Sequence, residues 1–312
     1  MRVALIVPVR NGGVVWRQAA QAIRAQARQP DRVLVIDSAS TDGSEAVARE
    51  HGFELQCIDA RDFDHGTTRQ SAAQACADCD VLVYLTQDAV LAGPQALEAL
   101  LRAFDDPQVA VAYGRQLPRP QAGPIEAHAR LFNYPARSSR RVMADAATLG
   151  LKAAFTSNSF GAYRRADLMR VGGFPSGTIL AEDMIVAARA LQQGRAVAYV
   201  AEACAYHSHD YTLAEEFRRY FDIGVLHALE PWLLRDFGRP EGEGLRFVVS
   251  EARHLLAHAP WRLLEAWVRT VGKLAGYRLG RRHARLAPAW RVRLSMHRGF
   301  WNKDRAGAEP RR

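Results

Sequence analysis

Residues 81–89 read Val81-Leu82-Val83-Tyr84-Leu85-Thr86-Gln87-Asp88-Ala89. Five apolar residues in succession end abruptly in a polar triplet. A short apolar run without alternation marks a strand covered on both faces. Comparable runs lie at Arg2–Val9, Arg32–Asp37, Glu54–Ile58 and Val109–Tyr113. Helical patterns separate them, at about Val14–Ala27, Ser44–His51, Arg69–Ala77 and Pro94–Phe104. In the last, Leu97, Leu100, Leu101 and Phe104 recur at i, i+3, i+4 and i+7, and Pro94 suits a first helical turn. Strand–helix alternation predicts an α/β fold with a mainly parallel, doubly wound sheet. Ligands of such sheets bind beyond the carboxyl ends of the strands. The segments that close the strands are therefore where chemistry is to be sought.

Residues 114–154 are poorly periodic and rich in Pro, Arg and Ala, which predicts a long excursion able to shape an acceptor site. Beyond it the pattern predicts a strand at Phe160–Arg164, a short helix at Ala166–Val171 and a turn at Gly172-Gly173. A helix from Glu182 to Gln193 and a strand at Ala196–Val200 follow. From Leu213 onward the pattern is helical. Trp261, Leu264, Val268, Val271 and Ala275 form one apolar stripe, with Arg262, Arg269, Lys273 and Arg278 mostly elsewhere. The last ten or so residues carry a composition expected to lack order.

The chain has 312 residues, 48% apolar and 24% charged, which excludes a disordered protein. No apolar run approaches the roughly 18 residues that cross a bilayer. The apolar opening reads as a buried first strand rather than a signal peptide, which gives an expectation of cytoplasmic location. Of the four cysteines, only Cys76 and Cys79 form a C-x-x-C pair, without the second pair a zinc site needs. Ordinary thiols are expected. Residues 231–312 hold 18 basic and 7 acidic residues, a net +11, whereas the rest, with 24 and 26, nets −2. Such asymmetry points to an anionic partner. Five tryptophans accompany the arginines there (Trp232, Trp261, Trp267, Trp290 and Trp301), which fits a membrane surface or a helical appendage packed on the first part. No known nucleic-acid-binding motif is visible.

Five segments can carry chemistry. Pro8-Val9-Arg10-Asn11-Gly12-Gly13 closes the first strand with a turn that lets backbone approach a ligand. Asp37-Ser38 closes the second, where a carboxylate can accept hydrogen bonds from a base or ribose. Asp88 closes Val81–Thr86, and a carboxylate at that lip can hold a hard cation, Mg²⁺ or Mn²⁺, on a diphosphate. Glu182-Asp183 starts a helix, where acidic residues are favoured in any case. A solvated aspartate there is ionised at neutral pH and can act as a base. His207 and His209 alternate along an extended segment and face one way. An imidazole ligand tilts a site towards Mn²⁺.

In order and spacing, these segments resemble family 2 of the inverting nucleotide-sugar glycosyltransferases, which have the GT-A fold. The resemblance spans about residues 1–212, leaving 213–312 as a basic, helical C-terminal extension. Within the family it is nearest to bacterial rhamnosyltransferases of surface-polysaccharide synthesis. The segments that suggest this are Phe63-Asp64-His65-Gly66-Thr67-Thr68-Arg69, Leu85–Ala89, Ser157-Asn158-Ser159-Phe160-Gly161-Ala162-Tyr163 and Tyr206-His207-Ser208-His209. The resemblance implies donor contacts from Pro8, Arg10, Asn11, Asp37, Ser38, Arg69, Gln87 and Asp88. It implies Asp183 as catalytic base with Glu182 in support, and a divalent cation on Asp88 and His207, with His209 the second choice. Asp88 matches the last aspartate of the family's D-x-D motif, whereas Thr86 stands at the first, so the implied site has fewer carboxylates. The implied substrates are a dTDP- or UDP-linked sugar and a saccharide or lipid-linked saccharide, met at the inner face of the cytoplasmic membrane. A sugar-phosphate nucleotidyltransferase would want a Lys-bearing phosphate loop near its start, but the first lysine is Lys152. A non-catalytic sensor of nucleotide sugars would have lost Asp88 or Asp183.

Overall fold

A computed structural model describes residues 1–238 and 242–301. The last ten or so residues, expected to lack order, lie outside the described residues. Among the described residues nine strands form one sheet: β1 (Val3–Val9), β2 (Arg32–Asp37), β3 (Glu54–Cys57), β4 (Val81–Leu85), β5 (Val90–Leu91), β6 (Val109–Leu117), β7 (Ser139–Arg141), β8 (Phe160–Arg164) and β9 (Ala196–Tyr206). Their order is β3-β2-β1-β4-β8-β6-β9-β5, with β7 also on β9. β1, β2, β3, β4, β6 and β9 run one way, while β8, β5 and β7 run against them. The sheet is thus mainly parallel, as the alternation implies, with an antiparallel strand wedged between β4 and β6.

Successive side chains of a strand point to opposite faces. Ala4 and Ile6 accordingly join one core with Leu82, Tyr84 and Tyr163, while Val3, Leu5 and Val7 join another with Val81, Val83 and Leu85. Helices cover both faces, so no strand residue there needs a polar side chain. The helices Gly13–Arg24, Ser44–Glu50 and Glu182–Gln192 fall within a few residues of expectation. The third starts earlier than periodicity suggests, at His65, because Asp64 caps it by accepting from the Thr67 amide at 2.9 Å.

The excursion after Gly114 is more ordered than its composition implies. β6 continues to Leu117 and β9 to Tyr206, because a register shift lets Arg115–Leu117 pair with Cys204–Tyr206. A helix, Pro124–Asn133, and β7 follow. The four cysteines are free thiols, with Cys76 and Cys79 buried.

The C-terminal helices join the main core rather than standing apart. Phe221, Val225, Leu233 and Phe237 belong to the same cluster as Ile6 and Tyr84. The Leu263–Gly280 helix lies against Leu213–Leu229 at close range through its small residues. A side chain at Gly276 would meet the Phe217 carbonyl oxygen at 2.5 Å, and one at Gly280 the Phe221 oxygen at 2.0 Å. Backbone cannot yield there as a flexible side chain could. Gly280→Val should therefore lower stability by about 1–3 kcal/mol in urea unfolding. An unchanged midpoint would show that the two helices can separate freely.

Candidate active site

The sheet topology decides what meets what. Parallel β1, β2, β4, β6 and β9 all end on one edge, and β8, running oppositely, begins there. Val9 pairs Asp37, Leu85 pairs Phe160, and Leu117 pairs Tyr206. Asp37, Asp88, Asn158 and His207 are therefore gathered at this edge, far apart as they are in sequence.

Three side chains meet there most closely. The Asp88 Oδ2 lies 3.4 Å from His207 Nε2 and 3.2 Å from His209 Nε2, and the two imidazole nitrogens are 3.2 Å apart. One ligand atom from each falls within a 4.8 Å cluster. Burial works to raise the Asp88 carboxyl, but His207, His209 and the Thr86 hydroxyl hold it well below the usual carboxylate range. Burial, then the neighbouring His207, pushes His209 down to about 4, leaving a neutral imidazole, the form that binds metals. One carboxylate oxygen and two imidazoles make a donor set for a borderline divalent cation, with room for water or phosphate oxygens to complete the shell. His209, the second choice on sequence, sits as near Asp88 as His207 does.

The ring of His207 is fixed from behind. Its Nδ1 is 3.1 Å from the Gln116 side-chain oxygen Oε1, which also accepts from Arg130 at 2.8 Å. The Gln116 amide donates to Ser157 Oγ at 2.8 Å. Arg119 donates to the Asp88 carbonyl at 2.7 Å. Neither Gln116 nor Arg119 is apparent from sequence, since both lie in the excursion and reach the edge only because β6 continues.

Ser157 leads directly to Asp183. The next residue, Asn158, donates its backbone N–H to Asp183 Oδ2 at 3.0 Å, and the Met184 N–H reaches Oδ1 at 2.7 Å. Asn158 Nδ2 donates to Glu182 at 3.1 Å, and its oxygen accepts from the Tyr163 hydroxyl at 2.7 Å. Glu182 forms a buried ion pair with Arg69 at 3.0 Å, both side chains less than a tenth exposed. Burial would raise the Glu182 carboxyl, but Arg69, His65 and the hydrogen bonds to it together hold it below its ordinary value. The reverse holds next door: burial, then the Glu182 charge, raises Asp183 to about 7. Asp183 is therefore not the ordinary solvated carboxylate expected from its place at a helix start.

The remaining expected residues divide in two. Asp37 is fully buried; its Oδ1 accepts from the Ser40 amide at 2.8 Å, while Oδ2 and the Ser38 hydroxyl have no partner among the described residues. A buried unsatisfied carboxylate oxygen is costly unless a ligand supplies a donor. Pro8 is half-buried beside it, and Arg10 and Asn11 are exposed. Two of the expected residues also make contacts within the protein. Arg69, expected to approach the donor from the third helix, pairs with Glu182 at 3.0 Å. Gln87 gives both amide atoms to the Arg10 backbone, accepting at 2.6 Å and donating at 3.1 Å, so it ties the first loop to the Asp88 loop. Asn11, Ala39 and Ala181, the non-glycine residues at positive φ among the described residues, all lie in loops at this edge. Each such residue costs about 1–2 kcal/mol, and strain of this kind collects where geometry is held for function.

Comparison with known proteins identifies the family. The family model described as "Glycosyl transferase family 2" matches residues 4–172. The chain is 46% identical to O-antigen chain rhamnosyltransferase RfbN of Salmonella typhimurium, over 97% of this chain and 96% of that protein. It is 44% identical to O-antigen chain rhamnosyltransferase WbaN of Salmonella anatum, over 96% and 95%. In fold it is similar to the mannosyltransferase PcManGT of Pyrobaculum calidifontis, solved with GDP-Man and Mn²⁺. The TM-score is 0.57 at 21% identity, covering 99% of this chain and 88% of that one. It is also similar to S. aureus TarS 1–349 with UDP-GlcNAc, with a TM-score of 0.51 at 15% identity and coverage of 91% and 92%. The family match over more than half the chain and the two near-full-length relatives lead to one conclusion: this chain belongs to glycosyl transferase family 2.

Proposed function

We propose that this glycosyltransferase moves L-rhamnose from a dTDP-linked donor to a saccharide acceptor in the assembly of a cell-surface polysaccharide, by one inverting displacement. The observation that carries the reading is that two relatives named as O-antigen chain rhamnosyltransferases align with almost the whole chain. In this reading the acceptor is carried on a lipid and met at the cytoplasmic side of the membrane.

The roles follow from the side chains at the edge. Asp37 and Ser38, with unpartnered buried oxygens, bind the nucleoside, and Pro8, Arg10 and Asn11 frame it. Gln87 acts indirectly, by fixing the loop between nucleoside and diphosphate. Asp88, His207 and His209 would hold a divalent cation, for which two nitrogen ligands favour Mn²⁺ over Mg²⁺, and which when bound would supply positive charge against the departing diphosphate. Asp183 takes the proton of the acceptor hydroxyl as that oxygen attacks the anomeric carbon, while the carbon–oxygen bond to the diphosphate breaks on the opposite face. The backbone donors from Asn158 and Met184 hold the carboxylate in place. A base near neutrality is well matched to proton transfer at physiological pH. Arg69 neutralises Glu182, so that Asp183 is raised but not forced to stay protonated.

Thermal-shift measurements with dTDP-rhamnose, UDP-sugars and GDP-sugars test the donor directly. dTDP-rhamnose at about a hundred times its Kd should stabilise the protein by about 2.7 kcal/mol. Stabilisation by a UDP-sugar alone would replace the rhamnosyl reading with a hexosyl or N-acetylhexosaminyl one. Asp183→Ala should bind donor as wild type does, yet lose about 10²–10⁴ in transfer rate; near-normal transfer would remove Asp183 from the chemistry. The base must be ionised, so kcat/KM should be full above about pH 7 and fall roughly tenfold per unit below it. A profile flat down to about pH 5 would mean an ordinary carboxylate or another base. Gln116→Ala, which frees the His207 ring, should raise the Mn²⁺ needed for half-maximal rate by about 10–100-fold. An unchanged requirement would take the imidazole out of the metal site.

A further inference from the structure

The helix Leu263–Gly280 is turned inside out relative to a solvated helix. Its small face, Ala266, Gly276 and Gly280, is the packed one. Leu263 and Leu279 pack inward, but most of its large apolar residues face outward: Trp261 just before it is 76% exposed, Leu264 73% and Trp267 65%. Val271 and Leu274 continue the exposed row. The stripe read in the sequence is therefore not a packing face. The preceding helix, Glu243–His258, does the same, with Leu245 70% and Leu256 62% exposed. The two helices meet through buried Leu255, Ala259 and Ala266, which leaves Leu256, Trp261 and Leu264 outermost at the junction. Exposed apolar side chains grouped in this way mark an interaction surface.

Basic residues accompany the apolar row. By helical spacing Arg278 continues the line of Val271 and Leu274, and exposed Arg253 lies one turn on from Val249. Of the five tryptophans near the arginines, Trp261, Trp267 and Trp290 are exposed, while Trp232 is half-buried and Trp301 buried. Among the described residues no helix is long and apolar enough to cross a membrane. The two helices themselves, residues 243–280, hold six basic and three acidic residues, a net +3, which also bears on what covers the face. A second copy would bring like charge against like, whereas an anionic lipid surface answers both the charge and the apolar side chains.

We propose that the exposed face of these two helices lies in the interface of an anionic bilayer, with Trp261, Leu264 and Trp267 buried among the lipids and the arginines at headgroup level. The surface is joined to the site by a short path. Arg269, on the same helix, donates to the Tyr211 carbonyl at 2.8 Å; the Tyr211 ring stacks on His209, which is 3.2 Å from Asp88. Between them lies a cavity of about 350 Å³ lined by Glu126, Asp210, Tyr211, Arg262, Arg269 and Lys273. Resting on the proposed function for what is delivered, the polar head of a lipid-carried acceptor enters this cavity from the membrane side.

Flotation of the full chain with vesicles of phosphatidylcholine alone, and with phosphatidylglycerol added, tests the surface without any transfer reaction. The protein should float with the anionic vesicles and be released by salt. Arg253→Gln and Arg278→Gln should each weaken binding about fivefold. Trp261→Ser, Leu264→Ser and Trp267→Ser together should weaken it more than about tenfold. Because these side chains are exposed, the triple variant should keep its melting temperature and its transfer to a water-soluble acceptor. Binding unaffected by the triple variant would overturn the proposal. So would a wild-type chain that transfers sugar but ignores vesicles, or one that instead forms a dimer lost in the variant. Vesicle binding without transfer to any acceptor would keep the surface and count against the function alone.

Discussion

The site depends on one strand pairing, that of β8 between β4 and β6. Because β8 runs against its neighbours, its beginning lies where β4 and β6 end. Ser157 and Asn158, just before β8, thereby stand between the Gln116 amide on one side and the Asp183 carboxylate on the other. A parallel strand in that position would carry these residues to the opposite edge. The cation ligands and the base would then share no hydrogen-bonded framework.

That framework is a chain of contacts: Asp88 to His207, His207 to Gln116, Gln116 to Ser157, Asn158 to Asp183 and Glu182, and Glu182 to Arg69. Each link is polar, and most are buried, where hydrogen bonds resist exchange with water. The two ends differ electrostatically. Asp88 is held ionised by imidazoles. Asp183 is raised by burial and by a neighbouring negative charge. Two carboxyls pushed in opposite directions are suited to opposite tasks, one to remain a charged ligand and one to accept a proton.

The sequence makes the strands and the strand-closing carboxylates easy to see, because a buried strand must be apolar and a site at its end must not be. Asp37 and Asp88 stand out for that reason, whereas Asp183, at a helix start where acidic residues are common, stands out only through the family resemblance. Long-range pairing is harder to see. The continuation of β6 to Leu117 depends on a register shift opposite β9, and no local pattern announces it, so Gln116 and Arg119 stay hidden. Asn158 stands in a segment that carries the family resemblance, yet its task is visible only through its partners. The resemblance implies donor contacts for Arg69 and Gln87, whereas the contacts that tie them to Glu182 and to the Arg10 backbone are visible only in three dimensions. The stripe on the Leu263–Gly280 helix is legible as a stripe, but which side of that helix packs is decided by glycines that let backbones approach.

All of this assumes that one cleft at the carboxyl edge of the sheet holds the cation and the diphosphate together. Anomalous diffraction at the manganese edge, from crystals grown with Mn²⁺ and dTDP, examines that assumption most directly. The account predicts a single strong peak within coordination distance of Asp88 oxygen and histidine nitrogen, with the diphosphate against it and the thymine towards Asp37. A peak elsewhere on the molecule, or a nucleotide bound away from Asp37 and Asp88, would contradict it.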